Sequence, residues 1–117
     1  MPTIRDLVGA IGQREGVDAA VVLGRDGLLI DSQVAPGVAS DDVAAHVPAI
    51  VTAAEELGAA SGLGPLTTAV LELAHGLAIV SAISTEAILL VLLQPNANIG
   101  QLLFELRRNR EHIAALV

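Results

Sequence analysis

The sequence predicts an α+β protein: a five-stranded antiparallel sheet of order 2-1-5-4-3 with helices on both faces, in chain order α-β-β-α-β-β-β-α. Three observations predict it. Apart from Asp18 and Ser81, the strands at residues 17–24, 77–83 and 87–93 are apolar on both faces, as strands covered on both sides are. Residues 28–34 and 66–74 are more polar and suit the edges of a sheet. Residues 3–14, 40–60 and those beyond 97 space their apolar side chains as helices do. Hairpins join strand one to two and strand three to four to five. Only the order 2-1-5-4-3 then keeps the doubly apolar strands one, four and five inside.

The first helix opens at Thr3, a suitable cap, with Asp6 at the third helical position completing a capping box. Ile4, Leu7, Val8 and Ile11 form its apolar stripe, and Gly16 stands where a helix-ending glycine is expected. The first strand, Val17–Gly24, runs from Ala19 to Leu23 without a polar residue. Arg25-Asp26-Gly27 follows; Asp-Gly signals a hairpin because glycine tolerates positive φ. The second strand starts at Leu28, turns polar at Asp31, Ser32 and Gln33, and ends before Ala35-Pro36-Gly37.

Ser40 is expected to cap the long second helix, with Asp41 and Asp42 at the positive end of its dipole. On a helical wheel Val43, Val47, Ile50, Val51, Ala54 and Leu57 gather on an inner arc. The outer arc holds Asp41, Asp42, Ala45, His46, Ala49, Thr52, Glu55 and Glu56. Pro48 removes one backbone bond and is expected to kink the helix. After the loop Ser61–Pro65, the third strand alternates from Leu66 to Ala74. Ala69, Leu71 and Leu73 share one face, and Thr68, Val70 and Glu72 the other. His75-Gly76 reads as a two-residue turn. Strands four (Leu77–Ile83) and five (Ala87–Leu93) follow, and Pro95-Asn96 closes the sheet. One last helix from near Ala97 carries Ile99, Leu102, Leu103, Leu106, Ile113 and Val117 as its stripe.

The composition excludes several chemistries. The 117 residues fit one domain over 1–117, with 13 acidic against 6 basic side chains and a net charge of −7. Without cysteine there is no disulfide, thiolate metal site or thiol redox motif. All basic residues are arginine, so a Walker lysine and a Schiff base are excluded. The acidic balance argues against nucleic acid and anionic membranes, and the lone aromatic, Phe104, cannot build a stacking platform. Met1-Pro2-Thr3-Ile4-Arg5-Asp6 does not read as a signal peptide. Leu77–Leu93, the most apolar stretch, is interrupted by Ser81, Ser84, Thr85 and Glu86, so no membrane span is predicted. A soluble cytoplasmic protein is expected; missing lysine beside abundant Ala, Gly and Arg suggests a GC-rich, bacterial genome.

Catalytic constellations are thin. Asp42 and His46 have a spacing two metal ligands could use, but no further ligand is evident, and a solvated ion pair is the simpler reading. His75 is expected exposed in its turn, and His112 near a helix C-terminus. No Gly-x-Ser-x-Gly elbow is present, and Gly62-x-Gly64 lacks the strand–turn–helix setting of a phosphate cradle. Arg107, Arg108 and Arg110 read as complements of a helix dipole and of Glu105 and Glu111. No catalytic residue, cofactor or metal is assigned. The third strand is more informative. Glu72 is its only charge, so its open edge invites pairing with another chain. Ala45, Ala49 and Ala53 on the second helix let another surface approach closely. A symmetric dimer joining two third strands and two second helices satisfies both features.

Glu15-Gly16-Val17-Asp18-Ala19-Ala20-Val21-Val22-Leu23 with Asp26-Gly27-Leu28-Leu29-Ile30 resembles the first hairpin of Roadblock-type proteins, the family named for the dynein light chain roadblock. The resemblance continues through the Ala-rich central helix and Ala87-Ile88-Leu89-Leu90-Val91-Leu92. It ends in Asn96-Ala97-Asn98-Ile99-Gly100-Gln101-Leu102-Leu103 and Leu106-Arg107, covering essentially the whole chain. Motifs modest singly are fairly specific in this order, and the family shares the element order and a profilin-like sheet.

The resemblance implies a partner role, not an enzyme. Roadblock proteins dimerise through the third strand and second helix and bind small Ras-like GTPases or serve in larger assemblies. Bacterial MglB-like members activate a Ras-like polarity GTPase (MglA-like). The dimer binds it on the paired second helices and donates no arginine finger. Carried onto this chain, the partner surface is Ala45, Pro48, Ala49, Thr52 and Glu56. The homodimer contact is Thr67, Thr68, Ala69, Val70, Leu71, Glu72 and Leu73, with Ala53 beside them. The expected function is a dimeric regulator that activates or binds a small GTPase. The alternatives are a non-catalytic scaffold subunit of a signalling or motor assembly, and an enzyme or small-ligand sensor.

Overall fold

The computed structural model describes residues 3–116. Met1, Pro2 and Val117 lie outside the described residues, and with them the leader reading at Met1-Pro2 and the last position of the C-terminal stripe. Helix α1 (Ile4–Gly12) is followed by strands β1 (Val17–Gly24) and β2 (Leu29–Val34), helix α2 (Ser40–Ser61), strands β3 (Thr68–Leu73), β4 (Gly76–Ala82) and β5 (Ala87–Leu93), and helices α3 (Ile99–Arg108) and α4 (Arg110–Ala114). The strands form one antiparallel sheet in the order β2-β1-β5-β4-β3, as predicted.

Because strand side chains alternate, the sheet divides the core in two. On one face Ala20, Val22, Ile79, Leu89 and Val91 meet Val8 and Ile11 of α1 and Leu102 and Leu106 of α3. On the other, Ala19, Val21, Leu23, Val80, Ile88 and Leu90 meet Ala44, Val47 and Val51 of α2. The doubly apolar reading of β1, β4 and β5 thus corresponds to two cores served by the same strands.

Local chemistry sets the element ends. Thr3 and Asp6 form the capping box of α1: the Asp6 N–H donates to Thr3 Oγ1 at 3.2 Å, and the Thr3 N–H to Asp6 Oδ2 at 2.9 Å. The helix stops at Gly12, short of the expected Arg14. Gly16 (φ 85°) lies in the turn leading to β1, and a Cβ there would be 2.8 Å from the Ala97 Cβ. Gly27 (φ 90°) makes the β1–β2 connection, with the Leu28 N–H donating to Asp26 Oδ1 at 3.0 Å. Asn98 caps α3 through the Gln101 N–H at 3.3 Å.

Several expectations shift. The cap of α2 is Ala39, without a side-chain bond, and Ser40 is already helical. β2 begins at Leu29 and β3 spans only Thr68–Leu73. The two-residue turn after β3 is Ala74-His75, because Gly76 already pairs with Leu73. The close approach of β5 requires glycine at this position, because a Cβ there would be 2.6 Å from the Leu93 carbonyl oxygen. The last helix is two: Asn109 bonds back to the Glu105 carbonyl with both its backbone N–H (3.0 Å) and its Nδ2 (2.9 Å), closing α3 before α4 begins.

Candidate interaction surface on helix α2 and strand β3

Helix α2 lays Ala44, Val47 and Val51 against the sheet and buries Gly58 under the loop that follows it. This stripe corrects the expected inner arc: Leu57 is 68% exposed, while the smaller Ala44 and Gly58 are buried. The reason is close approach. The Gly64 carbonyl crosses Gly58, and a Cβ at 58 would meet its oxygen at 2.0 Å. Gly62 (φ 74°) ends the helix, with the Gly62 N–H donating to Ala59 and the Leu63 N–H to Gly58. The Gly62-x-Gly64 loop is therefore a helix stop folded over its own last turn.

Glu55 also departs from expectation. It is half-buried and receives Arg25 Nη1 at 2.9 Å, while Arg25 Nη2 donates to the Ser84 carbonyl at 3.4 Å. One arginine in the β1–β2 loop thus ties α2 to the β4–β5 turn. Pro48, on the same flank, is half-buried, and a Cβ on Gly27 would lie 3.3 Å from its ring. Helix α2 continues from Ser40 to Ser61 through this proline.

The outer surface is then simple. Ala45, Ala49, Thr52, Ala53 and Glu56 are all exposed, as sequence reasoning placed them. Ala45, Ala49, Ala53 and Leu57 recur every fourth residue, so they form one continuous ridge of small side chains ending in an exposed leucine. Its exposed charges are Asp41, Asp42 and Glu56. His46 stands among them, its Nδ1 2.8 Å from the Asp42 backbone carbonyl. That contact replaces the expected Asp42–His46 ion pair, and no group of three metal-ligating side chains occurs among the described residues.

Strand β3 forms the sheet edge beyond β4. Ala69 and Leu71 turn towards the α2-side core, whereas Val70, opposite Ile79, is 43% exposed and Leu73 59%. Thr68 and Ser81 oxygens lie 3.4 Å apart across the ladder. Thr67 precedes the strand, is exposed, and accepts from the Ala82 N–H at 2.9 Å. Glu72 is exposed and is the strand's only charge. Leu57 and Leu63 (85% exposed) were not assigned to the surface from sequence, since nothing in an apolar pattern marks a leucine as uncovered.

Elsewhere, Glu105 pairs with Arg14 in the turn after α1, not with the arginines near it in sequence. Arg107 and Arg108 occupy the last turn of α3, where they complement the dipole. His75 and His112 are exposed. No described helix is long and apolar enough to cross a membrane.

Comparison with known proteins agrees with this architecture. The protein MJ1340 of Methanocaldococcus jannaschii is 33% identical over 106 residues, covering 91% of this chain and 92% of its own length. A Roadblock/LC7 domain from Streptomyces avermitilis superposes with a TM-score of 0.83 at 24% identity, over 96% of this chain and 95% of that one. The gliding protein MglB of Thermus thermophilus superposes with a TM-score of 0.82 at 17% identity, over 96% and 86%. Residues 3–93 match the Roadblock/LC7 domain family, and the chain belongs to that family.

Proposed function

We propose that this protein is a dimeric, cytoplasmic regulator of a small Ras-like GTPase, built as one domain and acting by contact. The observation that carries the reading is the exposed ridge Ala45–Ala49–Ala53–Leu57 on α2, on a chain whose β3 edge is also open. Pairing two β3 strands antiparallel satisfies backbone groups that water alone satisfies in the monomer. Thr67 to Leu73 and Ala53 serve that contact. The partner is received on Ala45, Pro48, Ala49, Thr52 and Glu56. The fold shared with MglB supports the same assignment.

In this reading regulation acts by holding the GTPase's own residues in place. With Glu55 engaged by Arg25, the exposed charges of the α2 face are acidic, which favours a basic partner surface. The test is GTP hydrolysis by a small GTPase encoded in the same genome, with and without the purified protein. Acceleration of about tenfold or more, equivalent to about 1.4 kcal/mol off the barrier, is expected. Ala49→Arg should abolish it. Binding without acceleration would leave the scaffold reading, and no binding would remove both.

A further inference from the structure

We propose that the β3 edge is keyed to a second copy of this chain in one register, with Val70 on the two-fold axis and Thr68 of each copy opposite Glu72 of the other. This rests on the dimer of the proposed function and specifies its alignment, which is what makes the edge select its own kind.

The hairpin with β4 fixes which backbone groups are free. Opposite residues in an antiparallel ladder alternate between hydrogen-bonded and non-hydrogen-bonded pairs. The Ala82 N–H donates to the Thr67 carbonyl at 2.9 Å, so these two form a hydrogen-bonded pair. In the same register Ala69–Val80, Leu71–Ala78 and Leu73–Gly76 are hydrogen-bonded pairs as well. The N–H and C=O groups of Thr68, Val70 and Glu72 therefore point away from β4, towards the open edge. These are the groups that a partner strand has to satisfy.

A symmetric contact sets residue i of one strand against residue j of the other, and j against i. With Val70 opposite Val70, every outward residue meets an outward residue, since Thr68 meets Glu72 at both ends. The smallest slide that keeps the bonding phase moves one strand by two residues. It leaves Thr68 or Glu72 opposite a residue outside β3. The side chains choose the same register. Ala69 and Leu71 face the α2-side core, so Thr68, Val70 and Glu72 share the other face. Val70, exposed in the single chain, covers its apolar surface with an identical side chain. Each Glu72 carboxylate meets a hydroxyl donor. Registers centred on Leu71 or Glu72 bring the two Glu72 carboxylates diagonally or directly opposite, where like charges repel. The edge is thus complementary to its own reverse, and a second copy is the occupant that fits.

The chain has no cysteine, so introduced cysteines report neighbours cleanly. Opposite residues of a hydrogen-bonded pair have Cα atoms about 5.5 Å apart, within reach of a disulfide. Residues four apart along a strand are separated by about 14 Å, beyond that reach. Val70→Cys, Thr68→Cys and Glu72→Cys are each oxidised alone, and Thr68→Cys is also oxidised together with Glu72→Cys. Val70→Cys should give a covalent dimer on a non-reducing gel. The mixture should give at least about ten times more than either of its members alone. A charge swap reads the register without a disulfide. Thr68→Asp should weaken self-association at least about tenfold in equilibrium sedimentation, and adding Glu72→Arg should restore it to within about threefold. Sedimentation of the unaltered chain separates the two readings. A monomer at every concentration removes the dimer, and the register with it. A dimer in which Glu72→Cys links readily to itself, in which the mixture gains nothing over its members, or in which Glu72→Arg fails to rescue a folded Thr68→Asp overturns the register and leaves the dimer standing.

Discussion

The two edges of the sheet are built differently. At β2 the chain covers itself. Gly9 and Gly12 of α1 come close enough to Gln33 that a Cβ on Gly12 would lie 3.0 Å from its side chain. Leu29 and Val34 reach the α2-side core, and the Asp31 carboxylate accepts from the Ser32 N–H at 2.8 Å. At β3, Ala69 and Leu71 are held from the α2 side, but Val70 and Glu72 face outward from the opposite side. No side chain of β3 bonds to an N–H of its own strand among the described residues. Ile30 of β2 is itself 53% exposed, so the difference between the edges lies in the local bond of Asp31, which has no counterpart on β3 and favours association there.

The largest effect should come from the hinge that delivers the chain to β3. Gly58→Ala forces the Gly64 carbonyl away. We expect a loss of about 1–3 kcal/mol despite the better helix propensity of alanine, measured by urea denaturation. Unchanged stability would mean the loop moves aside freely and the entry to β3 is loosely set. Next, Val70→Lys should weaken self-association at least about tenfold, roughly 1.4 kcal/mol, while Ser32→Lys on the guarded edge leaves the solution mass unaltered. Equilibrium sedimentation decides: a Val70→Lys protein still of dimer mass removes β3 from the interface. Breaking the Arg25–Glu55 pair with Glu55→Gln should cost about 0.5 kcal/mol, since both side chains are about one-third exposed. The smallest effect belongs to Asp31→Ala. Freeing the Ser32 N–H should cost a few tenths of a kcal/mol and raise aggregation on heating, seen by light scattering.

Legibility in the sequence followed the physics of each element. The bounds of β5 match because turn residues close both ends of an unbroken apolar run, and those of β1 match because Gly16 and the Asp26-Gly27 turn flank its apolar centre, Ala19–Leu23. The strand order followed from which strands are apolar on both faces. The inner arc of α2 was less legible, because burial there rewards small residues that let backbone approach, and hydropathy favours Leu57 over Gly58. The α3–α4 break rests on an Asn109 side chain competing for a backbone carbonyl, which carries no apolar signature. The exposure of Ala45, Ala49, Thr52 and Glu56 is readable from the helical wheel. The engagement of Glu55 by Arg25, thirty residues away in sequence, is not.

The two-sided burial of β1 has a consequence for misfolding. A strand with one polar face reports its own register, because a slip by one residue exposes its apolar side chains. Ala19 to Leu23 are fully buried whichever face each takes, so a slip would trade one core for the other with little change in hydrophobicity. Alignment must therefore be written elsewhere: in Gly27 and the Asp26–Leu28 bond at one end, in the irregularity between Val22 and Leu23, and in the Gln94 N–H that donates to the Gly16 carbonyl at 2.8 Å at the other. The turns, and not the greasy centre of the sheet, hold the information that keeps this protein in frame.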